Sequence, residues 1–420
     1  MFLRSIELRH VRSIERLRLS FLTEDGLPRP WTLILGDNGA GKSTILRSIA
    51  LLTAGSDALP EILGNPESWI RSGHNECIIR GELQTATGEI RQASITLRRN
   101  DTLLSIVERN RDTLEQLNAA LGHSNRNYLT IGYGVSRRPA GVGRGISGPD
   151  SETFRHPRAR SVATLFSQQA MLHPLDVWAM NLHYSYKSKG VEVVRKTLAE
   201  FLPHVQFKRI DTRSRKLIFE TPDGEVPFEQ LSDGYQNVAA WCGDLVYRIS
   251  EIFRDHSDPL NARGVLLIDE IDLHLHPSWQ RQLHDFLSHK LPHMQVVATT
   301  HSPLTAQQVG RGSLFFLRRE RPRSAARLTA YSGDPSRLMV HQILTSPLFG
   351  LETMDSRRIE RARIRYRKLS TRKRLTAAER TELLQVRQEL ADAPDWHRNT
   401  QSELRQTELL AQIERLLSRS

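Results

Sequence analysis

Thr32-Leu33-Ile34-Leu35 runs without a break into Gly36-Asp37-Asn38-Gly39-Ala40-Gly41-Lys42-Ser43. Beyond that, Ile45, Leu46, Ile49 and Leu52 keep helical spacing. A short buried strand, a Gly-rich turn and an amphipathic helix in this order are the setting in which GxxxxGK[ST] folds as a phosphate loop. Backbone N–H groups at the start of such a helix can cradle the α and β phosphates of a nucleotide. Lys42 would reach the β and γ phosphates, and the Ser43 hydroxyl would bind Mg²⁺. Gly36 to Ser43, with Thr44, are therefore candidate nucleotide-binding residues, and ATP with Mg²⁺ is the expected ligand.

Two more segments belong with this loop. Val265-Leu266-Leu267-Ile268 precedes Asp269-Glu270. That pattern places two carboxylates at the C-terminal edge of a buried strand, where ligands sit in open α/β sheets. Asp269 suits a magnesium site, and Glu270 can orient or deprotonate an attacking water. Gln295–Thr299 reads as another buried strand, and His301 follows its end, where it could hydrogen-bond a γ phosphate. Between phosphate loop and Asp-Glu strand lies Leu231-Ser232-Asp233-Gly234-Tyr235-Gln236. Ser232 and Asp233 are good caps for a helix whose apolar residues Tyr235, Val238, Cys242, Leu245, Ile249 and Ile252 share one face. Gly234 removes bulk where a ligand could approach the backbone. A helix N-terminus with a hydroxyl attracts phosphate, although the same residues would also serve a plain helix cap. His274 and His276 form an HxH pair beside Asp272, but no further ligand has compatible spacing. A turn that contacts a partner subunit is the favoured reading.

The remaining chain reads as alternating short elements. Leu3, Ile6 and Leu8, then Leu17, Leu19 and Phe21, indicate strands, as do Cys77–Leu83, Ile90–Leu97, Tyr128–Val135 and Leu314–Leu317. Helices are expected over Asp112–Leu121, in part of Val162–Asn181, over Val193–Leu202, and as one helix holding Trp279, Leu283, Phe286 and Leu287. Pro222-Asp223-Gly224 marks a hairpin turn after Leu217–Thr221. Gly143-Arg144-Gly145-Ile146-Ser147-Gly148 matches GxGxxG by letter, but Pro149 follows and no helix opens there. Pro139–Asp150 therefore reads as a mobile loop and not as a dinucleotide site.

Of the 59 Lys and Arg residues only nine are Lys, and the formal charge is +12. A basic balance points to a polyanionic partner, nucleic acid first. The charge is concentrated in the tail: Arg357–Arg374 carries ten Arg or Lys against Glu360 alone. Positions 357, 361, 365, 368 and 372 fall on one helical face, which suits phosphate contacts and equally an acidic protein surface. Glu379–Leu390 and Glu403–Leu417 read as further helices with apolar stripes, able to form a small hairpin or a protein-partner surface. Cys77 and Cys242 form no metal or redox motif. Arg4, Glu7 and Arg9 interrupt the apolar start, and no run approaches the ~18 apolar residues of a membrane helix. A cytoplasmic protein without membrane association is expected.

The order of these motifs resembles that of ABC-type ATPases of the SMC/RecF-like branch. Gly36–Ser43 resembles Walker A, Leu231–Gln236 the signature, Leu267–Glu270 the end of Walker B with its catalytic Glu, Asp272–Pro277 the D-loop, and His301 the switch His. The resemblance implies an α/β P-loop head with an N-terminal β-rich lobe, a helical middle insertion and a C-terminal helical tail. The expected domains are a head over 1–350, with an insertion at about 99–215, and a basic helical tail over 351–420. It also implies a homodimer closed around two ATP molecules, with Ser232 and Gly234 of one subunit contacting the γ phosphate held by Lys42 of the other. Lys42, Glu270 and His301 would be catalytic. Asp233 departs from the Gly of transporter signatures, and Tyr235-Gln236 replaces Gly-Gln. Gln168 or Gln169 is the candidate ATP-sensing Gln, and Arg12 resembles an N-terminal basic residue that touches nucleotide. More narrowly, Gly132-Tyr133-Gly134-Val135-Ser136-Arg137-Arg138, Leu231–Gln236, Ile268–Pro277 and Ile343–Glu352 look like the standalone ATPases of anti-phage systems, Septu-type or retron-associated. Those imply a separately encoded effector, often an HNH nuclease. No nuclease motif is recognised here, and no TOPRIM-like acidic domain follows His301. A RecF-like repair or chromosome-maintenance ATPase is the alternative, with a transporter subunit behind it.

Overall fold

A computed structural model describes residues 2–85, 88–121, 129–137, 154–202, 205–252, 259–319, 324–372 and 374–391. The chain divides into two compact units, Met1–Phe349 and Gly350–Ser420. The first unit begins with β1 (Phe2–Val11), β2 (Ile14–Ser20), β3 (Trp31–Gly36), α1 (Lys42–Leu63), β4 (Glu76–Gln84) and β5 (Ile90–Arg98). Next come α2 (Leu103–Arg109), α3 (Arg111–Leu121), β6 (Leu129–Tyr133), α4 (Pro157–Phe166) and α5 (Leu175–Phe201). Then follow β7 (Gln206–Asp211), β8 (Lys216–Thr221), β9 (Gly224–Pro227), α6 (Asp233–Ile252), β10 (Gly264–Ile268), α7 (Pro277–Gln280) and α8 (Leu283–Lys290). The unit closes with β11 (Met294–Thr300), α9 (Pro303–Ala306), β12 (Leu314–Arg319), β13 (Ala326–Ala330) and α10 (Val340–Thr345).

The central sheet has the order β13-β12-β3-β11-β10-β6. All its neighbours pair in parallel except the antiparallel edge strand β13. Parallel strands covered on both faces need continuous apolar runs, which β3, β10 and β11 supply. Their side chains alternate between two cores. Ile34, Val265, Leu267 and Val297 join the core built with β1, β4 and α1. Leu33, Leu35, Leu266, Ile268, Val296 and Ala298 join the core built with α5 and α6. An antiparallel sheet of order β2-β1-β4-β5 forms the N-terminal lobe. Buried Gln295 stitches the two sheets together: its Oε1 accepts from the Leu3 N–H at 2.8 Å, and its Nε2 donates to the Leu3 and Arg29 carbonyls at 3.0 and 3.2 Å.

Several elements differ from the sequence expectation. The helix expected at Val193–Leu202 is present as the part of α5 that follows a break at Lys187 (φ 50°), and it starts earlier than expected. The single helix expected after the Asp-Glu strand is broken into α7 and α8. Residues 99–215, expected as a helical insertion, also supply β6 to the central sheet and β7 to a three-stranded sheet with β8 and β9. Strand β6 stops at Tyr133, and the Gly-rich segment 139–150 lies outside the described residues.

In the second unit α11 (Arg357–Ser370) and α12 (Ala377–Ala391) pack side by side. Ion pairs run across them from Arg358 to Glu389 (2.5 Å), Arg365 to Glu382 (3.9 Å) and Arg372 to Glu379. The basic helix α11 thus packs with α12, which contains Glu379–Leu390, and a further helix is expected at Glu403–Leu417. The latter segment lies outside the described residues.

Glycine places β6 against α4. A Cβ added at Gly134 would lie 1.9 Å from the Thr164 carbonyl oxygen, whereas one added at Gly310 would meet nothing within 4 Å. Gly134→Ala is therefore expected to lower unfolding free energy by about 1–3 kcal/mol or more. Gly310→Ala should leave it nearly unchanged, and denaturant titration of both variants checks the pair.

Candidate functional site

The register of the central sheet brings the candidate residues to one edge. Leu35 lies opposite Thr300 across β3 and β11, and Ile268 lies opposite Ala298 and Tyr133. Gly36, His301, Asp269 and Gly134 each follow immediately in chain order, so all four lie at the C-terminal edge of the sheet. The segment carrying His301 leaves between those carrying the phosphate loop and the carboxylate pair.

At the phosphate loop, Gly39 (φ 72°) and Gly41 (φ 118°) adopt the left-handed conformation that a side chain resists. Lys42 folds over the loop, its Nζ donating to the Gly36 and Asp37 carbonyls at 2.8 and 3.1 Å. Burial lowers the Lys42 pKa, while the charges of Asp269, Glu270 and Asp37 push it back up. The ammonium therefore lies within the field of the carboxylate pair. Two side chains brace the loop from outside: Ser13 Oγ donates to the Ala40 carbonyl (3.1 Å) and Arg319 Nη2 to the Gly39 carbonyl (3.0 Å). A Cβ on Gly41 would fall 2.7 Å from Ser13 Oγ. Arg12 sits in the same β1–β2 turn at φ 51°, its guanidinium 4.2 Å above the Trp69 ring. Burial lowers its pKa to about 10.

Asp269 is 3% exposed. Its N–H donates to the Tyr133 carbonyl at 2.8 Å. Thr299 Oγ1 donates to Asp269 Oδ1 at 2.6 Å and accepts from the Glu270 N–H at 2.7 Å. One hydroxyl thus ties both carboxylate residues to β11. Glu270 has φ 47°, a strained setting for a residue with a side chain, worth about 1–3 kcal/mol. On its other side, its carbonyl accepts from Arg137 Nη2 at 2.6 Å. Asp272 bonds to the Thr300 hydroxyl. His301 is exposed, one residue beyond β11.

The turn at Ser232 packs against the segment after Glu270. Gln236 Nε2 donates to the Leu231 and Glu229 carbonyls (2.6 and 3.1 Å), closing the turn on itself. The backbone of Gly234 faces the His274 carbonyl, 3.6 Å from where a Cβ would stand. Ser232, Gly234, Tyr235, His274, His276 and Trp279 line a cleft of about 380 Å³. His276 caps α7, its Nδ1 accepting from the Ser278 N–H. Among the described residues, no group of three His, Cys, Asp or Glu could hold a metal.

Gln168 and Gln169 are exposed in the turn after α4. That turn approaches the same sheet edge, because Thr164 Oγ1 accepts from the Gly134 N–H (3.2 Å) and the Leu165 carbonyl accepts from Arg47 of α1 (2.5 Å). Behind the site lies a buried network that sequence reasoning missed. Asp244, fully buried on α6, accepts from Tyr133 OH (2.8 Å), Arg248 Nε (2.6 Å) and the His173 N–H (2.8 Å). His173 stacks on Tyr247 with centroids 3.7 Å apart. The available signal was Asp244 within an apolar helix with Arg248 four residues on. Thr299 and Arg319 carried no such signal, since each looks like an ordinary strand residue.

Replacing Thr299 by Val would leave Asp269 Oδ1 and the Glu270 N–H without their shared partner. A stability loss of about 1–3 kcal/mol is expected in denaturant unfolding, together with slower ATP turnover. A second expectation concerns acid. Burial first, with Arg248 and Arg160 assisting, lowers the His173 pKa from 6.5 to about 4 against the opposing charge of Asp244. The unfolded chain then binds a proton that the folded chain refuses. His173 therefore contributes a loss of stability as pH falls from 6.5 toward about 4. His173→Gln should flatten the pH dependence of the melting temperature in that window relative to the parent chain.

Comparison with known proteins fits this geometry. Residues 5–130, which contain the phosphate loop, match a family model described as "AAA domain". Residues 154–306, which contain the Ser232 turn, the Asp-Glu strand and His301, match "AAA domain, putative AbiEii toxin, Type IV TA system". The chain is 27% identical over 354 residues to the Septu protein PtuA of Bacillus mycoides, an alignment covering 83% of this chain and 45% of that one. It is 31% identical over 139 residues to the retron Ec83 probable ATPase of Escherichia coli, covering 33% and 26%. The chain thus spans less than half the length of these curated relatives. Among solved structures, it is similar to an Smc head bound to the C-winged helix domain of ScpA (14% identity, TM-score 0.47, 79% of this chain and 98% of that). It is also similar to RecF (12%, TM-score 0.40, 76% and 96%). The phosphate loop thus lies in one AAA-domain match and the carboxylate strand in the other, and the chain is homologous to the Septu PtuA and retron ATPases.

Proposed function

We propose that this chain is an ABC/SMC-like head that closes as a dimer around ATP, hydrolyses it, and regulates a separate effector in anti-phage defence. One observation carries the dimer. The cleft behind Ser232 and Gly234 is lined by residues of α6 and of the segment 274–282, with no phosphate-loop residue among the described lining. A helix start that offers a hydroxyl and backbone N–H groups suits a phosphate, and a second subunit's nucleotide would supply one.

Within one head the chemistry divides by residue. Gly39 and Gly41 shape a loop that backbone donors can line, and Lys42 moves from its own carbonyls to phosphate oxygens. Mg²⁺ takes oxygen ligands and binds through one or two protein groups plus substrate phosphates. The Ser43 hydroxyl and the Asp269 carboxylate fit that donor set, and bound Mg²⁺ would neutralise developing phosphate charge. Glu270 orients or deprotonates the attacking water. His301, exposed between the two strand ends, senses the γ phosphate. Glu270→Gln is expected to retain ATP and accumulate dimers in light scattering with saturating Mg-ATP, whereas Lys42→Ala stays monomeric. A monomeric Glu270→Gln chain that still binds ATP would sink the closed-dimer reading.

The effector assignment rests on the named relatives, a Septu protein and a retron ATPase, and an HNH nuclease is its proposed form. Nucleic acid, DNA foremost, is the proposed ligand of the tail. Arg357, Arg361 and Lys368 are exposed on one face of α11 and enter no ion pair recorded among the described residues, while Arg358, Arg365 and Arg372 are engaged by α12. Each phosphate contact steepens the salt dependence of binding by roughly one unit. Reversing all three free charges to Glu should therefore weaken duplex DNA binding and flatten its log–log salt slope by about three. Fluorescence anisotropy across a salt series measures both. A RecF-like repair role would keep the head and tail chemistry and differ in the effector.

A further inference from the structure

We infer that Arg137 is a positioning residue for Glu270: its guanidinium holds the Glu270 peptide in the left-handed conformation that aims the carboxylate at the nucleotide. The inference rests on the proposed role of Glu270 in hydrolysis. Three observations meet at this one residue. Glu270 has φ 47°. Its N–H is taken by Thr299 Oγ1 at 2.7 Å, which anchors it to β11. Its carbonyl is taken by Arg137 Nη2 at 2.6 Å, which anchors it to the segment leaving β6. A residue in a disfavoured backbone region persists only where its surroundings over-determine it. Here one neighbouring strand end supplies each of the two holds.

The setting of Arg137 supports a placed group over an incidental surface contact. It follows Gly132-Tyr133-Gly134-Val135-Ser136, and both glycines let α4 press directly onto this backbone. A Cβ at Gly132 would fall 2.3 Å from Leu165 Cδ1, and one at Gly134 would fall 1.9 Å from the Thr164 carbonyl oxygen. The Tyr133 carbonyl holds the Asp269 N–H, and Tyr133 OH is fixed by buried Asp244. The stretch that delivers Arg137 is therefore pinned on both sides. Burial lowers the guanidinium pKa to about 10, and the charges of Asp269, Asp272 and Glu270 oppose that loss, so the group stays cationic at neutral pH. Arg137 acts through Glu270 and need not touch nucleotide.

A misplacement of about 1 Å at a reacting group costs on the order of 100-fold in rate. In the full chain, Arg137→Ala is expected to lower single-turnover ATP hydrolysis by roughly 10- to 100-fold, with ATP affinity within about twofold of the parent. Arg137→Lys, which can still donate to the carbonyl, should recover part of the rate. Combined with Glu270→Gln, Arg137→Ala should add little further loss, because both changes remove the same function. Arg137→Ala hydrolysing at the parent rate would overturn the inference. So would losses that multiply in the double variant, or a loss confined to ATP affinity. Should Arg137→Ala fail to fold, Arg137→Lys and Arg137→Gln give the same comparison, with ATP binding as the check on folding. Hydrolysis undiminished in Glu270→Gln alone would instead overturn the role of Glu270, a separate outcome.

Discussion

Everything at the candidate site depends on β11 lying between β3 and β10 in parallel register. That placement sets the phosphate loop on one side and the carboxylate pair on the other, with Thr299, Thr300 and His301 between them. The hydroxyl of Thr299 turns proximity into geometry. It donates to Asp269 and accepts from the Glu270 N–H, so both carboxylate residues move with β11. The charge of the pair then reaches Lys42, whose pKa reflects burial opposed by Asp269 and Glu270. Without the parallel register these groups would leave the sheet at different heights, and the same residue types would form no site.

The surrounding elements act as braces. The β1–β2 turn and β12 hold the phosphate loop through Ser13 and Arg319. Buried Asp244 joins α6, which starts at the Ser232 turn, to Tyr133, whose carbonyl holds Asp269. A charge buried this fully is tolerated only when its oxygens are satisfied, and Asp244 accepts three hydrogen bonds. The Ser232 turn is thus joined through α6 and Tyr133 to the strand end that carries the carboxylates.

The local motifs were legible because each rests on short-range chemistry. Glycines at positive φ, an apolar run ending in Asp-Glu, and Ser-Asp before an amphipathic helix can all be read from neighbouring residues. Features that need distant partners were not legible. Strand β6 reads as one apolar segment among several, and only its pairing with β10 places it beside Asp269. Arg365 and Arg372 look like part of one uninterrupted basic face, and only the packing of α12 shows that they are engaged.

Composition and motif order alone determined the class of chain: a P-loop α/β head with an LSDGYQ turn and a basic tail. Those properties follow from residue type and from spacing over a few positions. Only the tertiary structure decided what holds the site together, because Thr299, Arg137, Arg319 and Asp244 gain their roles from contacts far apart in the chain. Hydrogen bonds between Thr299 and Asp269, or between Arg137 and Glu270, exist only once a parallel sheet has set separate strands to the same height.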